Sequence, residues 1–373
     1  MININNTAQD FIGNNLKLAR ILNGLTLAEL SEAIGTSRQY IHQLETSSRV
    51  PPQEQLELLA NHLKVKKEFF YVIPTGVLDE SSVHFRSNRT AKQSSRVQAK
   101  ANVALFIRLV DLLSKYVNFP ELNFPSEDQA TSNTDIERIA ENARNHWELG
   151  LGPIDNMTRV VERAGAVTTT FSGVSADVDA LSSVIKRPVI VRNDAKDSPG
   201  RLRFDIAHEV GHLIMHPDTV TGCKQTEAEA NRFASSFLLP RSSFVKEFNA
   251  GTRMNWKMLA NLKERWGVSK AALLYRARQL DLLTESRYKS HIIMLKKYEA
   301  KKEKDDYLIK TETSELIPNA IENYISAYGK TVTDLLDELH VNVEILNQVL
   351  DFDINSYKSL ERSENIIPIS RFQ

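Results

Sequence analysis

Residues 208–212 read His-Glu-Val-Gly-His, and this short run constrains the chain more than any other stretch. On a helix, residues four apart lie one turn apart on one face. Two imidazoles so placed hold one metal ion together. Glu209, next to the first of them, puts a carboxylate within reach of a water on that ion, which is the arrangement of a zinc-dependent peptidase. The plain alternative is a pair of ordinary histidines on a half-buried helix, so the flanking sequence decides. A closed structural or sensory zinc site is a second alternative. Glu209 argues against it, because such a site needs no base and usually draws on cysteine.

The flanks favour a helix. Ser198-Pro199 offers a cap followed by proline in the first turn. Leu202, Phe204, Ile206, Ala207, Val210, Leu213 and Ile214 recur at mostly helical spacing, and His216-Pro217 ends the segment. Residues 187–192, Arg-Pro-Val-Ile-Val-Arg, read as a short strand beside that helix, suited to aligning an extended substrate. A catalytic zinc usually takes three protein ligands and one water. The third ligand is expected on the helix predicted over 227–234, where Ala230, Phe233, Ala234 and Phe237 mark the buried face. Glu227 and Asn231 lie four apart to one side of that stripe. Glu227 is the favoured ligand, Glu229 the alternative, and Asn231 is placed to steady a histidine. His216 continues the histidine series, but the first and last rings are about 12 Å apart along one helix axis. It is therefore expected to sit at the helix C-terminus and interact with the dipole.

A second functional signal lies near the N-terminus. Thr26 and Glu29 form a capping box, Leu27, Leu30 and Ile34 give the helix an apolar face, and Gly35 ends it. Thr36 or Ser37 caps the next helix, which exposes Arg38, Gln39, Tyr40, His42 and Gln43 and turns Ile41 and Leu44 inward. Two short helices joined by a glycine turn make a helix-turn-helix unit. Arg pairs with guanine O6 and N7, and Gln with adenine N6 and N7. The run at 25–45, L-T-L-A-E-L-S-E-A-I-G-T-S-R-Q-Y-I-H-Q-L-E, resembles the Cro/C1-type (XRE) DNA-binding domain. That resemblance places Arg38, Gln39 and Gln43 at base-reading positions and Arg20 and Glu45 at an internal salt bridge. Leu27 departs from the family, many members of which carry a phosphate-touching glutamine there.

Charge qualifies this reading. The whole chain holds 47 Lys plus Arg against 47 Asp plus Glu, and residues 1–72 hold seven of each sign. Weak net charge gives little electrostatic affinity for DNA. Residues 86–100 carry Arg86, Arg89, Lys92, Arg96 and Lys100 with no acid, and serve either as phosphate contacts or as a solvated linker. The single cysteine, Cys223, forms no internal disulfide and reads as a bystander loop thiol, which fits a reducing cytoplasm. No signal peptide or membrane span is expected, since the apolar run at 103–113 is broken by Arg108 and Asp111.

The fold class expected is mainly α with a small β-sheet (α+β). A helix-turn-helix domain spans 1–75, a basic linker 76–100, a zincin-like metallopeptidase domain 101–285 and a helical C-terminal region 286–373. Helices are predicted over 100–118, 134–148 and 156–164. Strands over 166–171, 181–185 and 188–192 suggest a mainly antiparallel sheet. The helical pair at 256–266 and 269–280 looks like a second helix-turn-helix, but its apolar stripe of Trp256, Leu259, Leu262 and Trp266 favours packing. Residues 287–304, with seven Lys or Arg and two Glu, read as an exposed helix or linker. The two-helix form at 331–350 carries no visible chemistry.

Residues 84–283 are similar to the ImmA/IrrE family of metallopeptidases. The matching stretches are V-H-F-R-S at 83–87, S-P-G-R at 198–201, His208–His216, E-A-E-A-N-R-F-A-S-S-F-L-L-P at 227–240 and the run at 261–277. With residues 12–72, the two resemblances span roughly three quarters of the chain, with several separated motifs in the expected order. They imply zinc held by His208, His212 and Glu227, with Glu209 as the catalytic base. They also imply a regulator that binds a double-stranded DNA operator, as a homodimer reading two half-sites. Its protein substrate would be a repressor or the chain itself. The alternatives are a non-proteolytic regulator whose zinc domain is a sensor, and a toxin-antitoxin-like interaction protein.

Overall fold

A computed structural model describes residues 10–73, 83–87, 93–127, 130–171, 178–184, 187–193, 198–217, 223–248, 255–299 and 303–365. The fold is mainly helical with one small mixed sheet. No helix among the described residues is long and apolar enough to cross a membrane.

The chain begins with four short helices, α1 (Gly13–Leu22), α2 (Leu27–Ala33), α3 (Arg38–Glu45) and α4 (Gln53–His62). The Thr26–Glu29 capping box forms as expected, and Ser37, not Thr36, caps α3 by accepting from Tyr40 N–H. Gly13 lets α1 approach α3 closely. A Cβ there would stand 2.1 Å from the Leu44 carbonyl oxygen, so any side chain would force the two helices apart. Arg20 reaches across this contact and donates to both carboxylate oxygens of Glu45, at 2.5 and 3.0 Å.

Residues 76–100, expected as a linker, contain the strand β1 (Val83–Ser87) and the first turns of α5 (Gln93–Leu113). The segment from 93 holds neither Gly nor Pro, so nothing stops the helix from starting before residue 100. α5 then packs on the N-terminal helices. Arg108 donates to Asn15 Oδ1 at 2.5 Å and lies 4.6 Å from the Phe69 ring centroid. Burial lowers its pKa to about 10.

Next come α6 (Asn133–His146), α7 (Met157–Arg163), β2 (Val167–Phe171), β3 (Val178–Val184) and β4 (Pro188–Asn193). The strand order is β1-β3-β4-β2. β3 runs antiparallel to both β1 and β4, whereas β2 runs parallel to β4. β4 is buried on both faces, which explains its unbroken apolar run. Val189 and Val191 face one hydrophobic core and Ile190 faces the other, as the two-residue strand period requires.

The second core is built by α8 (Pro199–Met215), α9 (Lys224–Leu238), α10 (Arg241–Glu247), α11 (Trp256–Trp266), α12 (Lys270–Gln279) and α13 (Glu285–Tyr298). Leu259, Leu262, Trp266, Leu273, Leu274 and Ala277 are buried in it, so α11 and α12 have the packing role that their apolar stripe suggested. The first core joins both ends of the chain. It contains residues of α1–α5 together with α14 (Leu316–Ser326), α15 (Val332–Leu339) and α16 (Val343–Asn347). Val65 and Val341 form an antiparallel bridge, Lys66 N–H donates to the His340 carbonyl and Asn342 N–H to that of Lys64. Glu338 accepts from Tyr116, Tyr324 and Lys330, tying the turn after α5 to α14 and α15.

Residues 303–306 lie against α11 and α12. The fully buried Lys263 ammonium donates to Glu303, Asp305 and Asp306 at 2.6–2.8 Å. Three acceptors match its three N–H groups, and a buried charge demands such pairing. Although burial opposes it, the Lys263 and Lys270 ammonium groups hold Asp305 below its ordinary pKa. The contribution of Asp305 is therefore complete above its unfolded value of about 3.9 and is lost as pH falls through the lower folded value. Replacing Lys263 by Met should destabilise the protein by about 3–5 kcal/mol near pH 7, because buried acids lose their cation. The urea midpoint checks this. The loss should shrink toward pH 4 as protonation removes the repulsion among the carboxylates.

Candidate metal centre and DNA-reading helix

α8 begins with Pro199 in its first turn, although the Ser198 side chain makes no capping bond. The helix crosses the second core, and His208, Glu209 and His212 are all buried. α9 starts at Cys223, whose sulfur accepts from Thr226 N–H at 3.4 Å. Cys223 is thus an exposed helix cap.

Gly211 sets the approach of the two helices. A Cβ there would stand 3.0 Å from Phe233 Cδ1 and 3.2 Å from its Cβ and Cγ, so the ring of α9 occupies the space a side chain on α8 would take. The approach brings three groups together. One ligand atom from each of His208, His212 and Glu227 lies within 4.8 Å of the other two. The two histidine Nε2 atoms are 3.0 Å apart, and they lie 3.3 and 3.4 Å from Glu227 oxygens.

The backs of both rings are held. His208 Nδ1 is 3.1 Å from Asn231 Oδ1. An amide oxygen only accepts, so Nδ1 carries the proton and Nε2 presents a lone pair. A longer relay holds His212. His216 Nε2 donates to Glu229 Oε2 at 2.8 Å, and the Nδ1 atoms of His212 and His216 lie 3.1 Å apart. Burial pushes the His216 pKa below its ordinary value, against the Glu229 hydrogen bond that raises it. The neutral ring, with its proton on Nε2, accepts at Nδ1 from His212. His212 therefore also presents an Nε2 lone pair. Two lone pairs and a carboxylate converge with no proton between them, which suits a cation and little else. The donor set, two neutral imidazoles and one carboxylate, fits a metal ion with room for water.

The geometry thus brings Glu227 to the histidines and sends Glu229 to His216. His216 does cap α8 at its C-terminus, but it is buried and turned toward His212. The i, i+4, i+8 histidine series was the sequence signal for this relay. Assigning it required knowing that α9 supplies an acid at the far end.

On α3, Arg38 and Gln39 are exposed and Gln43 is half-buried. Tyr40 is placed differently. Its ring packs against the first core, its hydroxyl donates to Gln55 Oε1 at 2.7 Å, and the Arg49 guanidinium lies 5.8 Å from the ring centroid. Tyr40 therefore braces α3 against α4. Leu27 also packs against the core, which accounts for an apolar residue where the Cro/C1-type pattern has glutamine.

Residues 161–278 match the family described as IrrE N-terminal-like domain, and residues 16–70 match the family described as Helix-turn-helix. The chain fuses an XRE-type helix-turn-helix to an ImmA/IrrE-like domain. The ImmA/IrrE-like match spans α8, α9, α11 and nearly all of α12, and so includes every residue of the metal cluster. No curated protein matches the chain significantly. Among solved structures it is similar to PlcR of Bacillus thuringiensis, crystallised in complex with the peptide PapR7 and DNA. The identity is 12% over 94% of this chain and 98% of that one, with a TM-score of 0.15.

Asn231→Leu should keep α9 folded while removing the acceptor behind His208. Metal affinity should fall about 10- to 100-fold, as is usual when such a supporting partner is lost. Competition with a chromophoric chelator measures it.

Proposed function

We propose that this protein is a DNA-binding transcriptional regulator whose ImmA/IrrE-like domain is a zinc-dependent, site-specific endopeptidase. Its substrate is a repressor or another regulatory protein, or the chain itself. The observation that carries this reading is Glu209, buried on α8 between two histidines whose Nε2 lone pairs face Glu227. A metal site with a structural role alone has no use for a carboxylate there.

His208, His212 and Glu227 hold the zinc, with Asn231 and the His216–Glu229 pair fixing the rings. When bound, zinc supplies Lewis acidity, which lowers the pKa of a water and polarises a peptide carbonyl. Glu209 accepts the proton of the attacking water and later delivers it to the leaving amine.

Arg38, Gln39 and Gln43 of α3 read base edges in the major groove. The expected assembly is a homodimer on a two-half-site operator in the cytoplasm. The near-neutral charge of residues 1–72 means that affinity rests on these contacts more than on bulk electrostatics.

Two variants test the two halves. Glu209→Gln should retain zinc and DNA affinity while cleavage in cells disappears. A proteome comparison in which the same fragments persist in the variant would overturn the peptidase reading and favour the sensor. Arg38→Ala should weaken binding to a selected operator by about 1–3 kcal/mol and relax preference at one base pair. An unchanged operator consensus in a binding-site selection would remove Arg38 from the reading set.

A further inference from the structure

The ligand face of α8 continues beyond the metal cluster. Arg201, Asp205, His208 and His212 follow at steps of four, three and four residues, so they share one stripe. Asp205 lies about 4.5 Å along the axis from His208. Beside it opens a cavity of about 450 Å3 lined by Phe204, Asp205, Asn231, Ala272, Tyr275 and Tyr288, among others. α8, α9, α12 and α13 each contribute a wall. Asn231 belongs to both places, since its Oδ1 accepts from His208. The cavity therefore starts one side chain away from the metal cluster.

Its chemistry is specific. Three aromatic rings and two alanine methyls make the apolar lining, while Ser198, Arg201 and Glu303 are among its polar groups. Arg278 braces two of the rings. Its guanidinium lies 5.1 Å from the Tyr275 centroid and 4.9 Å from that of Tyr288, and Glu285 anchors it at 3.1 Å. Cation–π contacts of this kind hold rings in place, so the pocket is formed before any ligand enters. The volume falls in the range of pockets that enclose small organic groups. An extended chain rises about 3.3 Å per residue. One or two residues of extended chain therefore span a length comparable to the Asn231 side chain that borders both places.

We infer that the cavity is the specificity pocket of the domain and takes a large apolar side chain, aromatic for preference, of an extended polypeptide. This rests on the proposed peptidase reading, which places the reacting carbonyl at His208, His212 and Glu227. The side chain stacks among Phe204, Tyr275 and Tyr288, and Ala272 leaves room for its far end.

The test separates binding from turnover. The zinc-loaded full chain carrying Glu209→Gln is used to select from a randomised decapeptide library. Retained peptides should show Phe, Tyr or Leu over Ala at one position by about 10- to 100-fold, the discrimination an apolar pocket provides. Adding Ala272→Phe should abolish that enrichment with zinc content unchanged. Tyr288→Ala, at a half-buried ring, is the second variant and should weaken the aromatic preference at the same position. An absence of enrichment at every position overturns the inference, as does enrichment that survives both variants. If the selected peptides show the preference and zinc-loaded wild type leaves them intact, the pocket stands as a peptide site and the peptidase reading falls.

Discussion

Gly211 has no side chain, and Phe233 fills the space where one would be. That single close approach lets α8 and α9 pack near enough for a carboxylate on one to meet two imidazoles on the other. Everything chemical in the ImmA/IrrE-like domain depends on it. Glu227, Glu229 and Asn231 all ride on α9, so its distance and rotation set the donor geometry, the support behind His208 and the end of the His216 relay together. A methyl group in a close-packed interior forces neighbours to shift, typically at about 1–3 kcal/mol. Here the larger consequence is positional, because a metal site tolerates errors of only a few tenths of an ångström in its donor distances.

The sheet gives this helix pair its setting. β4 is covered on both faces, with Val189 and Val191 on one side and Ile190 on the other. It therefore separates two hydrophobic cores and belongs to both. One core contains α8 and α9. The other gathers the helix-turn-helix, α5 and the C-terminal helices, which meet through the Val65–Val341 bridge and the hydrogen bonds that accompany it. Residues more than 270 positions apart in sequence thus share one interior, as the buried Val65–Val341 bridge shows. The exposed face of α3 is left outside this packing.

Much of this was legible in the sequence wherever the information is local. The capping box at Thr26 and Glu29, the proline start of α8, the helical spacing of its apolar residues and the strand predicted at 188–192 all depend on neighbours a few positions away. The Arg20–Glu45 pair was legible too, because the helix-turn-helix pattern fixes the spacing of its helices. Less was legible where a side chain answers to a distant partner. Tyr40 reads as a surface residue from its neighbours, yet Gln55 and the core claim it. The segment at 76–100 reads as a basic linker by charge, but β3 offers β1 a pairing edge and the N-terminal helices offer α5 a surface to bury.

The sequence by itself determined the two histidines one turn apart, the glutamate between them and the shortlist of acids on the next helix, because helical periodicity alone places those groups on faces. Only the tertiary structure decided between the acids. Glu227 and Glu229 are two residues apart, about 200° around the helix axis, so they face different partners. Which partner each meets depends on how closely and at what rotation α9 docks on α8. That is set by Gly211 against Phe233, a contact between residues 22 positions apart, which no local pattern encodes.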